Sequence, residues 1–397
     1  MVRSRTARAE VMRRCVAGTD AGALAADARP GALDTLPELA AEHGVIGAVF
    51  QQLGPRPELD PAVRRRLASA VLQNRLDHAR IASDLNYLAG IFESLPTPWL
   101  IVKGPAVAAT LYCPPELRAA GDIDVLIVPE HFAGAIELLE RAGHPIDDAN
   151  WPLVRRLTAG QLHIVLPGGT PLDLHWHLLF AAEERRRYRL TTEELVERAR
   201  PATIAGAELL TLDPVDTLVH LCFHAANEGA DRLGWLSDVA RAAAVPGLDW
   251  DEVVARATAW RMQLPVATVL QRSAQELGAP VPLDVRKRLA PFGWRALMRV
   301  ADRTFPVART PRRMGNPASL LAKSSAVAVT PARAVGSAAS GLARRSLHAA
   351  RTGDAARIER WDEQRDTSLA YRAEFDERDR TAYFAAVAAE AAAPCDR

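Results

Sequence analysis

Between Trp99 and Val128 the sequence reads WLIVKGPAVAATLYCPPELRAAGDIDVLIV, with a lone lysine, a glycine and two carboxylates set between two apolar runs. The first run, Trp99 to Val102, is aliphatic, follows Pro96-Thr97-Pro98, and reads as a buried strand. It gives way to Lys103-Gly104. Pro105 suits a first helical position, where its missing N–H has no partner to lose, and Ala106 to Tyr112 continue as a short helix. Lys103 and Gly104 thus occupy a strand-to-helix turn, where free N–H groups and the positive end of the helix dipole suit a phosphate.

After the loop from Cys113 to Gly121, Asp122 to Val128 form a second strand with its acids at the leading end. Residues i and i+2 of a strand share a face about 6.5 to 7 Å apart, so Asp122 and Asp124 can lean onto one cation or a close pair. Hard divalent cations such as Mg²⁺ take oxygen ligands of this kind, commonly together with substrate phosphates. The chain continues with a helix from Pro129 to Ala142, and this completes a β-α-β-α unit. Two strands follow, near Gln161–Leu166 and Pro171–Leu178, joined by the hairpin signal Pro167-Gly168-Gly169-Thr170. In the second, Asp173, His175 and His177 alternate with Leu172, Leu174 and Trp176, so the polar set looks toward a site and the apolar set toward the core.

The pattern from Lys103-Gly104 through Tyr112 and Arg118 to Asp122-x-Asp124 resembles the uncharacterised bacterial nucleotidyltransferase family of the DNA polymerase β superfamily, in its KG variant. The resemblance covers roughly residues 35 to 280 and includes the helical piece Leu218–Ala242. It departs at Asn227, where a histidine is frequent. It implies an α+β fold: a small mixed-sheet nucleotidyltransferase core flanked by N-terminal and C-terminal helical regions. It also implies that Asp122 and Asp124 hold Mg²⁺, that Asp173 is the third carboxylate of a two-metal site, and that Lys103 and Gly104 bind the phosphates of a nucleoside triphosphate (NTP). Arg118 and Tyr112 match recurrent positions without an assigned role, and Arg118 is grouped with the nucleotide-binding residues. The implied reaction moves a nucleoside monophosphate from the NTP to an unidentified small-molecule, sugar or peptide acceptor, with release of pyrophosphate.

Another class of reading is a catalytically inactive nucleotide-binding or assembly protein of a biosynthetic cluster. A binder could dispense with Asp173, whereas an enzyme that activates a hydroxyl could hardly do so, and all three acids are present. A kinase reading lacks any P-loop or H-R-D signature. His220 and His224 have the i, i+4 spacing of a metal pair but lie in an apolar run with no third ligand near them in sequence, so they read as structural or supporting. His175 and His177 read as site-adjacent supports.

With 49 basic against 48 acidic residues, the chain carries no strong nucleic-acid signal. Only Lys103, Lys287 and Lys323 among those cations are lysines, so a lysine at the phosphate turn is a marked choice in an arginine-rich chain. Cys15, Cys113, Cys222 and Cys395 show no paired spacing and read as reduced thiols. No apolar stretch approaches the roughly 18 residues of a transmembrane segment, and the reading is cytoplasmic.

The expected domains are an N-terminal helical region (1–95), with helices over Pro37–Leu53 and Pro61–Leu95, the nucleotidyltransferase core (96–190), a helical domain (191–300), and a tail (301–397). The tail has a basic Ala/Arg-rich segment, then a densely charged helix over Asp354–Asp379.

Overall fold

The computed structural model describes residues 2–26, 31–147, 150–309, 316–352 and 377–392. It has an α+β architecture with two compact units. One comprises residues 1–76, 111–119 and 214–358, and the other residues 77–110, 120–213 and 359–397.

The second unit holds a six-stranded mixed sheet. Its strands are β1 (Trp99–Ile101), β2 (Ile123–Ile127), β3 (Gln161–Val165), β4 (Pro171–His175), β5 (Arg200–Ile204) and β6 (Ala207–Thr211), in the spatial order β3-β4-β2-β1-β6-β5. β2 lies antiparallel to β1 and parallel to β4, and β1 lies parallel to β6. One face carries Ile123, Val125, Ile127, Leu162, Ile164, Leu172 and Leu174, all in one apolar core. Helices cover this face. Pro129–Arg141 contributes Phe132, Ala135, Ile136 and Leu139, and the second half of Pro61–Phe92 contributes Ile81, Leu85, Leu88 and Phe92. The period-2 alternation therefore assigns the faces: apolar residues pack against helices, and the intervening positions Asp124, His163, Asp173 and His175 share the opposite face.

The β3–β4 turn is held from outside the sheet. The buried Asp84 carboxylate accepts the backbone N–H groups of Gly168 (2.8 Å) and Thr170 (3.3 Å). A Cβ at Gly168 would stand 2.6 Å from that carboxylate, so this turn needs glycine for space. The C-terminal helix Glu377–Ala392 also belongs to this unit. Tyr383 and Val387 join the core, and the Tyr383 hydroxyl donates to the Ala159 carbonyl at 2.7 Å beside the Trp176 indole, which donates to the same oxygen at 2.7 Å. Arg185 with Glu390 (2.6 Å) and Arg380 with Glu140 (2.7 Å) fasten its flanks.

Two local expectations differ. The run Pro37–Leu53 is two helices, Leu36–Glu42 and Ile46–Leu53, broken at Gly44, whose φ of +68° ends the first. The stretch after Thr191 is not wholly helical, because β5 and β6 form a hairpin there through Ala205 and Gly206, both at positive φ. The charged segment expected over Asp354–Asp379 lies almost wholly outside the described residues.

The first unit is helical. Pro214–Asn227, Leu233–Ala243 and Gln263–Leu277 pack together, with Leu218, Val219, Leu236, Val239, Val266 and Leu270 buried. Cys15, Cys113 and Cys222 carry free thiols, and Cys395 lies outside the described residues. No described helix is long and apolar enough to cross a membrane.

Candidate active site

The strand register builds the site. β2 and β4 run parallel with Asp124 opposite Asp173, and β3 runs antiparallel to β4 with His163 opposite Asp173. Three polar residues on neighbouring strands therefore stand side by side on the face away from the helices. Asp124, Asp173 and His175 can each offer a ligand atom with all three atoms within 4.8 Å of one another, and this is the one such metal-capable group among the described residues. Two hard carboxylates and an imidazole suit a divalent cation.

Lys103 supplies the local positive charge. Its ammonium lies 2.8 Å from Asp124 Oδ1, with side chains 18% and 1% exposed. Burial opposes the charge on Lys103, but Asp124, then Asp122 and Asp173, outweigh it and hold the ammonium's pKa above its usual value. For Asp124, burial would raise the carboxyl. The Lys103 cation and the His175 hydrogen bond (3.1 Å) prevail and keep it well below the usual carboxylate range. An ionised carboxylate only accepts, so His175 donates its Nε2–H. That leaves His175 Nδ1 buried without a hydrogen-bond partner among the described residues.

Gly104 sets the turn against the acids. Its φ is +49°, and a Cβ there would meet the Asp122 carbonyl oxygen at 2.8 Å. The Val102 N–H also donates to the Asp124 carbonyl at 3.0 Å, so the strand end and the turn are fitted to the D-x-D backbone. Asp122 is half-buried at the entrance to β2. Asp173 receives a hydrogen bond from His163 Nδ1 at 2.9 Å.

The sequence reading did not single out His163. His177 also departs from it: β4 ends at His175, and the N–H groups of Trp176 and His177 both turn to the Gly160 carbonyl. The His177 ring is then buried between the Leu179 N–H, which donates to Nδ1 (2.9 Å), and the Leu190 carbonyl, which accepts from Nε2 (3.0 Å). Burial, reinforced by the nearby Arg185 cation, lowers its pKa to about 3, so the ring stays neutral and structural. In the helical unit, Arg118 and Tyr112 converge on Asp238. The Arg118 Nε and Nη2 groups lie 3.0 Å from its two oxygens, and the Tyr112 hydroxyl donates at 2.6 Å. The His220 and His224 rings lie tilted with centroids 6.4 Å apart, His224 is edge-on to Trp235, and neither belongs to a three-residue metal-capable group among the described residues.

A family model described as an uncharacterised nucleotidyltransferase matches residues 31–278. The chain belongs to that uncharacterised nucleotidyltransferase family. The match bears out the resemblance carried by Lys103-Gly104 and Asp122-x-Asp124, and it makes the protein a transferase of the nucleotidyltransferase class. No curated protein and no solved structure matches the chain. The nucleotidyltransferase match includes all six strands and stops at Gly278, so Glu377–Ala392, which completes the core of the sheet unit, lies beyond it.

Proposed function

We propose that the protein transfers a nucleoside monophosphate from an NTP to the hydroxyl of a small-molecule, sugar or peptide acceptor, releasing pyrophosphate. The observation that carries this reading is the cross-strand register of Asp124 with Asp173, which sets two carboxylates and His175 within reach of one cation beside a lysine turn. Asp122, Asp124 and Asp173 would hold Mg²⁺. When bound, the metal supplies charge stabilisation to the transferring phosphoryl group and to the attacking and leaving oxygens. Lys103 moves its ammonium from Asp124 to the β/γ-phosphate oxygens, and the turn amides around Gly104 complete their cradle. Asp173, steadied by the His163 N–H, orients the acceptor hydroxyl and takes its proton.

The test is Asp173→Asn. Asp122 and Asp124 remain, so Mg²⁺-nucleotide binding should persist, while transfer should fall by about 10²- to 10⁴-fold, the usual worth of a general base. Pyrophosphate release is measured with a panel of nucleotides and acceptors for wild type and variant. Equal turnover by the two proteins removes Asp173 from the mechanism. Tight nucleotide binding by wild type with no release across the panel would replace transfer by nucleotide sensing.

A further inference from the structure

In the helical unit, Gln263–Leu277, Leu283–Leu289 and Phe292–Thr304 wall a cavity of about 280 Å³, lined chiefly by Gln271, Gln275, Leu283, Arg286, Arg295 and Arg299. No acid lines it. Other arginines of this unit have carboxylates: Arg256 has Asp216, Arg272 has Asp302 and Arg288 has Asp251. Among the described residues Arg286, Arg295 and Arg299 have none. The Arg286 Nε–H is buried with no hydrogen-bond partner there. Arg295 is fixed in place, because its Nε–H donates to the Ala290 carbonyl at 3.1 Å and its own carbonyl accepts from Gln271 Nε2 at 2.8 Å.

A guanidinium does not lose its proton at physiological pH, so three of them around one cavity keep their charge. Buried N–H groups in native proteins are almost always satisfied, and an unmade bond at a charged donor costs more than one at a neutral donor. The group that answers both the charge and the idle donor is an oxyanion, which guanidinium forks grip through paired N–H···O bonds. Size narrows the class. At about 280 Å³ the cavity sits at the low end of ligand pockets, which suits a small anion.

The geometry points to a second ligand site on this protein: a pocket built by Arg286, Arg295 and Arg299 that binds a small, multiply charged oxyanion bearing phosphate or carboxylate groups. It is made wholly of residues of the helical unit and does not depend on how the sheet site works. Arg286 and Arg299 enter from different helices, so the ligand also ties Leu283–Leu289 to Phe292–Thr304.

The test is calorimetric titration of the full chain in EDTA with inorganic phosphate, pyrophosphate and citrate, for wild type, Arg286→Gln and Arg299→Gln. Wild type binds at least one of the three, more weakly as salt rises, and each substitution weakens it by about tenfold or more, the worth of a charged hydrogen bond. Tighter binding of pyrophosphate makes the ligand a phosphate, and tighter binding of citrate makes it a carboxylate. The same anion should raise the melting temperature of wild type and not of the variants. Arg299 is exposed, so its substitution tests the site even if Arg286→Gln folds poorly. Absence of binding by wild type overturns the proposal. So does unchanged affinity in both variants, which would place the anion elsewhere on the chain.

Discussion

Lys103→Met tests whether the lysine is the standing counter-charge of the acidic cluster. At 2.8 Å and an effective dielectric of about 20, the Lys103–Asp124 attraction is on the order of 6 kcal/mol before desolvation is subtracted. Removing one partner of a buried pair typically costs about 3 to 5 kcal/mol, because the other charge is left in a medium that cannot solvate it. Asp124 keeps its His175 hydrogen bond, which favours the lower end, about 3 kcal/mol. For a unit of this size that lowers its melting temperature by roughly 6 to 12 °C. Mg²⁺ should return most of the loss, since a cation at a hundred times its Kd adds about 2.7 kcal/mol. Wild type should gain less, because there the metal must displace the ammonium.

The pH dependence has a definite sign. Asp124 is depressed in the folded wild type, so its contribution is present above the unfolded value near 3.9 and is lost as pH falls through the folded one. Lys103 is raised, so its contribution is complete below the unfolded value near 10.4 and is lost as pH rises through the folded one. The gap between wild type and Lys103→Met should therefore be widest between about pH 4 and 10 and close on both sides. Calorimetric melting in EDTA and in Mg²⁺ across that range reads it. A variant that melts with wild type in EDTA, or equal stabilisation of both proteins by Mg²⁺, would refute the reasoning.

Gly104→Ala must place a Cβ 2.8 Å from the Asp122 carbonyl at a φ of +49°. The left-handed conformation alone costs about 1 to 2 kcal/mol, and the turn should shift enough to weaken Mg²⁺-nucleotide binding at least tenfold by calorimetry. Wild-type affinity would show that the turn does not touch the nucleotide. His177, at about 3 in the fold and near 6.5 when unfolded, takes up its proton only on unfolding, so stability is lost as pH falls from about 6.5 toward 3. His177→Gln can keep the bonds to Leu179 and Leu190 without a titrating ring. Its unfolding free energy from urea titration should fall less between pH 7 and 5, by about 1 to 2 kcal/mol, and an equal fall in both proteins would count against a neutral His177.

What could be read from the chain depended on how local the determinant was. β1, β2 and β4 announced themselves through period and turn residues, and Asp122, Asp124 and Asp173 through their places on those strands. β5 and β6 did not, since Arg200–Ile204 and Ala207–Thr211 include proline, alanines and a glutamate and sit among helical patterns. Residues far apart in sequence were the least legible: nothing near Tyr383 indicates that its hydroxyl will meet the carbonyl of Ala159. His163 was within reach. The Leu166 N–H donates to the Thr170 carbonyl (3.0 Å), and stepping back equally along both arms of that hairpin sets His163 against Asp173. Only the turn register had to be assumed. His177 misled because alternation holds only while the strand lasts, and β4 stops two residues short of it.

The same distinction changes which acids should be regarded as a pair. Along β2, Asp122 and Asp124 are separated by the two-residue strand repeat, about 6.5 to 7 Å, whereas Asp124 and Asp173 are direct neighbours on adjacent parallel strands, a spacing of about 4.8 Å between chains. Cross-strand neighbours can chelate one ion without bending either backbone. Along-strand neighbours reach one ion only by leaning toward each other, and they more naturally hold the two cations of a close pair. Asp124 belongs to both pairs, is the most buried of the three, and is the one Lys103 neutralises. On this geometry Asp124→Asn should be more damaging to metal binding than either Asp122→Asn or Asp173→Asn, although the sequence motif presents Asp122 and Asp124 as equals.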